Sequence, residues 1–289
     1  MTVPQIKGWL PYDSVHGKHN SVSGTVFVWP SLHSAELSHA REICVYVPPS
    51  LASRGMSGGA PTRRYPVIYF HDGQNMFDDK TSYVGEWHAD EALEALAKDG
   101  FEAIAVAIPN AGVDRLDEYS PWAGKAASRR RRVAGNGDTY LDWLVESVKP
   151  IVDRSFPTRT DRAGTGTAGS SLGGLISLYA PVRYPEVFGF IGAMSPSIRW
   201  HDSKIVDLYA AWPADRARPR VHLDMGGREW KGAFEDLRTM RDTLIGLGWR
   251  EGVDLNYVED RYGRHHEESW SRRLPDALRF LLADLRGAG

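Results

Sequence analysis

The periodicity of hydrophobic positions changes several times along this chain. Residues 24–29 and 42–47 are rich in β-branched and aromatic side chains and run into prolines, which predicts antiparallel strands at the start. A glycine-rich loop at 53–64 leads into a buried-strand run at 65–70. From there strand and helix patterns alternate. Helical spacing covers 86–98, and a continuous apolar strand covers 101–108. A helix is expected at 139–155, with Trp143, Leu144, Val148 and Ile151 on one side. Strands follow at 162–169, 187–194, 220–225 and 253–258, with helices from Leu172, at 234–247 and at 274–285. This alternation predicts an α/β fold: a mostly parallel sheet with antiparallel N-terminal strands and helices on both faces. No linker divides the 289 residues, so one domain over 1–289 is expected. Residues 110–137 are the least regular stretch, a long connection of the kind that forms lids or binding loops.

One turn in this pattern carries chemistry. Gly169-Ser170-Ser171-Leu172-Gly173 fits G-x-S-x-G, a serine on a sharp strand-to-helix turn. Such a serine must stand clear of the sheet, and a Cβ at the flanking glycines would collide with the neighbouring strand or helix. The pattern is weak alone, but a strand-like segment precedes it and a helical one follows. Downstream come Glu229, in Asp224-Met225-Gly226-Gly227-Arg228-Glu229-Trp230, and His265, in Arg264-His265-His266-Glu267-Glu268-Ser269-Trp270. Serine, then acid, then histidine is the chain order of α/β-hydrolases.

Composition narrows the picture further. The apolar fraction of 42% and charged fraction of 25% are ordinary for a globular protein. A net charge of −2 gives no basis for nucleic-acid or anionic-membrane partners. Cys44 is the only cysteine, which excludes an internal disulfide and a cysteine-based metal site. The first ten residues lack the charged-then-apolar pattern of an export signal, and no apolar run approaches the ~20 residues of a bilayer span. Cytoplasmic residence is therefore expected, which weighs against an extracellular wall polysaccharide as substrate.

Several motifs together resemble the putative esterase family of α/β-hydrolases, which includes enterochelin esterases, feruloyl and acetylxylan esterases and mycolyltransferases. They are His71-Asp72-Gly73-Gln74-Asn75; Asn110 with Arg115 and Glu118-Tyr119; the Ser171 turn with Gly174, Tyr184-Pro185 and Phe188; Ser195-Pro196-Ser197; Glu229 after Gly226-Gly227; and His265 to Trp270. The resemblance spans about residues 26–285. It departs at 162–169, where glycine and threonine replace the larger β-branched residues usual in the family, and a looser central strand is expected there.

The implied function is a serine carboxylic ester hydrolase acting on a small or aryl ester through an acyl-enzyme, with no cofactor and no metal. Ser171 is the nucleophile, His265 the general base and Glu229 the residue that orients it. Elbow geometry assigns the backbone N–H of Leu172 to an oxyanion hole, and the resemblance adds that of Gln74. Trp122, Trp200 and Trp230 neighbour these segments and are candidates for substrate binding. Alternatives stay open. Ser170 sits beside Ser171, His266 competes with His265, and Asp224 competes with Glu229. An acyltransferase shares every motif and differs in resolving the acyl-enzyme with an alcohol.

Other readings are blander. His71-Asp72 reads as a hydrogen-bonded turn that aims the Gly73–Gln74 backbone; no zinc spacing accompanies it. Gly164-Thr165-Gly166-Thr167-Ala168-Gly169 matches a dinucleotide pattern, but polar residues precede it and it overlaps the serine turn. Arg129-Arg130-Arg131-Arg132 reads as a solvated loop.

Overall fold

The computed structural model describes residues 6–37, 39–54, 63–125 and 132–286. The elements, in chain order, begin with β1 (Leu10–Pro11), α1 (Tyr12–His16), β2 (Thr25–Leu32), β3 (Arg41–Val47), α2 (Pro49–Arg54) and β4 (Val67–His71). Next come α3 (Ala89–Ala97), β5 (Ile104–Ile108), α4 (Arg115–Glu118), β6 (Gly124–Lys125), β7 (Arg132–Val133), α5 (Gly137–Trp143) and α6 (Lys149–Ser155). The second half holds β8 (Thr165–Ser170), α7 (Leu172–Arg183), β9 (Phe190–Met194), α8 (Lys204–Ala210), β10 (Arg220–Gly226), α9 (Ala233–Gly246), β11 (Leu255–Asp260) and α10 (Glu267–Leu281).

Nine strands form one sheet in the order β1-β2-β3-β5-β4-β8-β9-β10-β11. Pairing is antiparallel from β1 through β3 to β5 and parallel from β5 to β11. The pleat sends alternate side chains to opposite faces. Val67, Tyr69, Ile104, Val106 and Ile108 join the core beneath α5, α7 and α9. Their neighbours Ile68, Phe70, Ala105 and Ala107 join the core beneath α3 and α10. Both faces are thus covered, which is why β4, β5, β8 and β9 read as unbroken buried runs.

The glycine-rich centre is packed rather than loose, contrary to expectation. A Cβ on Gly166 would lie 2.1 Å from the Phe190 ring, so the aromatic of β9 fills the space that a β8 side chain leaves. Thr167 Oγ1 donates to the Tyr69 carbonyl at 3.1 Å. Residues 162–164 do not extend the strand; they form a 3-10 turn in which the Asp161 carboxylate accepts from Gly164 N–H at 3.2 Å. Other elements also differ from expectation. The helix expected at 139–155 contains a wider π-helical turn at Leu144–Val148, just before Pro150, which has no N–H to give. The closing helix begins earlier, at Glu267, with His266 as its cap. The short helix α8 carried no periodic signal. No helix among the described residues is long and apolar enough to cross a membrane.

Candidate active site

β8 delivers Ser171 to the carboxyl end of the parallel strands, where α/β folds place their ligands. Its backbone lies at φ 59° and ψ −121°, a costly conformation for a residue with a Cβ. Three hydrogen bonds hold it there. Its N–H donates to the Met194 carbonyl at 3.0 Å, and its own carbonyl accepts from Leu175 N–H at 3.0 Å and Ser197 N–H at 2.9 Å. The turn is tight enough that a Cβ on Gly169 would sit 2.9 Å from the Gly173 carbonyl carbon. Ser170 ends β8 and is buried. Ser171 Oγ has Ser197 Oγ as its hydrogen-bond partner at 3.4 Å.

Glu229 and His265 come from the loops that follow β10 and β11. His265 Nδ1 lies 2.8 Å from Glu229 Oε2. The Glu229 carboxylate is fully buried and the imidazole about one-third exposed. Its other oxygen accepts from Gly226 N–H at 2.7 Å and from Ser195 Oγ at 2.5 Å. Ser195 Oγ also accepts from Trp270 Nε1 and Arg273 Nη2, each at 2.9 Å. The His265 ring is flanked by Trp270, centroids 5.0 Å apart, and Trp230, 5.6 Å apart.

The structure separates the competing residues. Asp224 does not reach His265. It is fully buried, pairs with Arg273 at 2.9 Å and His222 at 2.9 Å, and accepts from Ser195 N–H at 3.1 Å. His266 caps α10, its Nδ1 accepting from Glu268 N–H at 3.3 Å. Arg273 links Asp224 to Asp260, 3.2 Å away, whose carboxyl sits below its usual range: hydrogen bonds and the charges of Arg272 and Arg273 outweigh the burial that would raise it.

Gln74 sits on a separate, polar scaffold. Asp72 leaves β4 with φ 55°. Its carboxylate takes a two-pronged bond from Arg115, at 2.6 and 2.7 Å, and another from Asn110 Nδ2 at 2.6 Å. Asp72 N–H donates to the Tyr119 hydroxyl at 3.0 Å, and Asn110 N–H donates to Gln74 Oε1 at 3.1 Å. Gln74 and Leu172 each occupy the first turn of a helix, where backbone N–H groups lack an intrahelical acceptor. His71 turns into the core, with Nδ1 2.8 Å from the Tyr140 hydroxyl and Nε2 2.8 Å from Thr167 Oγ1. Burial pushes it down to about 3, so it is neutral at physiological pH. Glu118 is buried against Arg41, so it and Tyr119 anchor the loop rather than face a ligand.

A cavity of about 1130 Å³ is lined by Ser171, Leu172, Gln74, His265, Trp200 and Trp270, among others. Part of the long connection, from Asn110 to Leu116, also lines it. An adjoining cavity of about 620 Å³ shares Ser197 and Trp200 and adds Trp230. Trp122 lines neither. It packs on Tyr179 and His201, with Lys204 Nζ 5.3 Å over its ring. Arg129, Arg130 and Arg131 fall outside the described residues, and Arg132 opens the exposed start of β7.

Sequence reasoning gave Ser195 and Ser197 no chemical role, although it singled out the Ser195-Pro196-Ser197 segment. Glu267 was also passed over. It lines the cavity, and burial raises its carboxyl pKa.

The sequence profile of the family described as putative esterase matches residues 34–281. An uncharacterized protein of Bacillus subtilis, YbbA, is 28% identical over 249 residues, covering 83% of this chain and 92% of that protein. A siderophore enterobactin esterase of Emericella nidulans is 26% identical over 189 residues, 60% of this chain and 61% of its own length. Among solved structures, the BES protein of Bacillus cereus superposes with a TM-score of 0.70 at 19% identity, covering 91% of this chain and 97% of that one. The fold is that of the α/β-hydrolases.

Proposed function

The chain belongs to the putative esterase family, and on that premise we propose that it is a serine hydrolase of small or aryl carboxylic esters, with Ser171, His265 and Glu229 as its working set. The observation that carries this reading is the 2.8 Å pairing of His265 Nδ1 with a buried Glu229, opening on the same cavity as the strained Ser171. A carboxylate on Nδ1 fixes the tautomer that leaves Nε2 free to accept a proton, and it stabilises the imidazolium that follows.

Each step then has a residue. Ser171 Oγ leaves Ser197 and attacks the ester carbonyl while His265 Nε2 takes its proton. Such contacts are commonly loose without substrate and tighten around it. The carbonyl oxygen gains negative charge and is met by the N–H groups of Leu172 and Gln74; one such donor is worth about 3–4 kcal/mol in the transition state. Collapse expels the alcohol, which His265 protonates. Water, activated by the same imidazole, then hydrolyses the acyl-enzyme. The aromatic wall of Trp200 and Trp270 favours an aryl or otherwise flat acyl group. A relative named for a siderophore ester is consistent with a small-molecule substrate.

The test is fluorophosphonate labelling together with turnover of aryl esters of varied chain length. Ser171→Ala is expected to abolish labelling and to cut turnover on the order of 10⁶-fold with the fold intact. Activity above a few per cent of wild type would remove Ser171 from the mechanism. Product analysis with an added alcohol distinguishes hydrolysis from acyl transfer.

A further inference from the structure

Acidic groups gather on the loop ahead of α3 and on its first turn, apart from the serine site. Glu86 is 5% exposed, and its Oε2 accepts from Ser21 Oγ at 2.9 Å. The same oxygen lies 3.5 Å from His88 Nδ1, and Glu91 Oε1 lies 3.7 Å from that nitrogen. Both separations exceed the 2.7–3.2 Å of an N–H···O bond. They suit a different geometry. Ligands at about 2.0–2.1 Å from a tetrahedral metal ion stand roughly 3.3–3.4 Å apart. The donor atoms of Glu86, His88 and Glu91 all lie within 4.8 Å of one another.

A second observation points the same way. Glu86 Oε1 is buried without a hydrogen-bond partner, in a side chain only 1% exposed. Asp90 beside it is fully buried and already partnered, one oxygen accepting from Ser23 N–H at 2.6 Å and the carboxyl sharing a hydrogen bond with Glu91. Among the described residues, His88 is the basic group beside Glu86 and Glu91. The cluster also has a rigid base, because Trp87, between two of its members, is buried against Trp270.

We propose that Glu86, His88 and Glu91 form a site for a divalent transition-metal ion, Zn²⁺ foremost, which clamps the loop before α3 to the first turn of that helix. The imidazole donor selects Zn²⁺ and its first-row neighbours over Mg²⁺ and Ca²⁺, which prefer all-oxygen sets. His88 is more than half exposed, giving the ion a path from solvent and room for a water as fourth ligand.

The experiment titrates ZnCl₂ into untagged, chelator-treated protein by calorimetry, with thermal melts alongside. One Zn²⁺ per chain is expected, with a rise in Tm and no comparable heat from CaCl₂ or MgCl₂. His88→Gly suits the local φ of 53° and removes the nitrogen donor, so the fold is kept while affinity falls at least tenfold. Glu91→Gln, on the exposed side, should weaken binding likewise. Because Glu229 and His265 are a second pair able to hold Zn²⁺, His265→Ala serves as a background in which the site is retained. Absence of saturable binding, affinity unchanged by His88→Gly, binding lost in His265→Ala, or equal heat from CaCl₂ would each overturn the proposal.

Discussion

Ser171 is held by backbone, and the Glu229–His265 pair is held by side chains. On the serine side, three main-chain hydrogen bonds and a glycine contact fix one residue at φ 59°. On the side of the Glu229–His265 pair, the hydroxyl of Ser195 meets Glu229, Trp270 and Arg273, and Arg273 in turn spans Asp224 and Asp260. The difference matters for how each half fails. Backbone strain is released only by rebuilding the turn between β8 and α7, so the serine position is all-or-none. A side-chain network loses one bond at a time, so the half around Glu229 and His265 should degrade by steps.

The largest effect tests the end of that network. His265→Ala should approach the loss produced by Ser171→Ala, on the order of 10⁶ in kcat, because such residues act as a unit. His266→Ala removes a helix cap at the edge of the cavity and should cost about 1 kcal/mol of stability, with a far smaller loss of turnover than His265→Ala. Reversed ranking of the two variants, read from kcat and melting curves, would move the base by one residue.

The same contrast explains what was legible beforehand. The serine turn is largely local: five consecutive residues specify it, and Gly169 is required by its contact with Gly173 four positions on, although Gly173 itself is confined by His71 and Asp72. The parallel sheet was legible because strands buried on both faces become continuous apolar runs, as at 104–108. Ser195 was illegible in its role because its partners lie 34, 75 and 78 residues away. No spacing rule joins them. Asp72, Asn110 and Arg115 were visible as separate motif residues, but only the fold shows that one carboxylate collects the other two. Trp122 could not be told from Trp200 by position, since proximity in sequence does not decide which way a ring faces.

Acid should undermine the serine side through His71, which lies beneath it. Its folded pKa of about 3 is below the unfolded value near 6.5, so the unfolded chain binds the extra proton between those limits. The stability it confers is complete above about pH 6.5 and falls as pH drops towards 3, by at most about 1.4 kcal/mol per unit from this one group. Replacing it with the non-titrating His71→Gln should lower stability at neutral pH yet flatten the slope in urea midpoints between pH 6 and 4. An unchanged slope would assign acid sensitivity to other groups.

A smaller effect probes the network directly. Ser195→Ala removes the hydroxyl bond to Glu229 but leaves the Gly226 N–H in place. A bond to a charged group is worth about 1.5–3 kcal/mol, so kcat should fall roughly tenfold or more while KM holds. Ser195→Thr, which keeps a hydroxyl, should recover part of the loss. If kcat stays at the wild-type value in Ser195→Ala, Glu229 is held by backbone too, and the two halves are not different in kind.

The smallest expected effect separates two tryptophans of the surrounding loops. Trp200 lines both cavities, and its Nε1 is tied to Ser120 Oγ at 2.7 Å. Trp122 lines neither, and its ring is spent on Tyr179, His201 and Lys204. Removing a ring that contacts substrate costs only what that contact gains, commonly about 1 kcal/mol beyond area burial, or a few-fold in selectivity. Trp200→Phe should therefore shift relative kcat/KM between aryl and short-chain acyl esters by a few-fold. Trp122→Phe should leave that ratio unchanged and act on Tm alone. A ratio that moves with Trp122 and not with Trp200 would mean that the long connection closes over the substrate, carrying Trp122 into a cavity it does not line here.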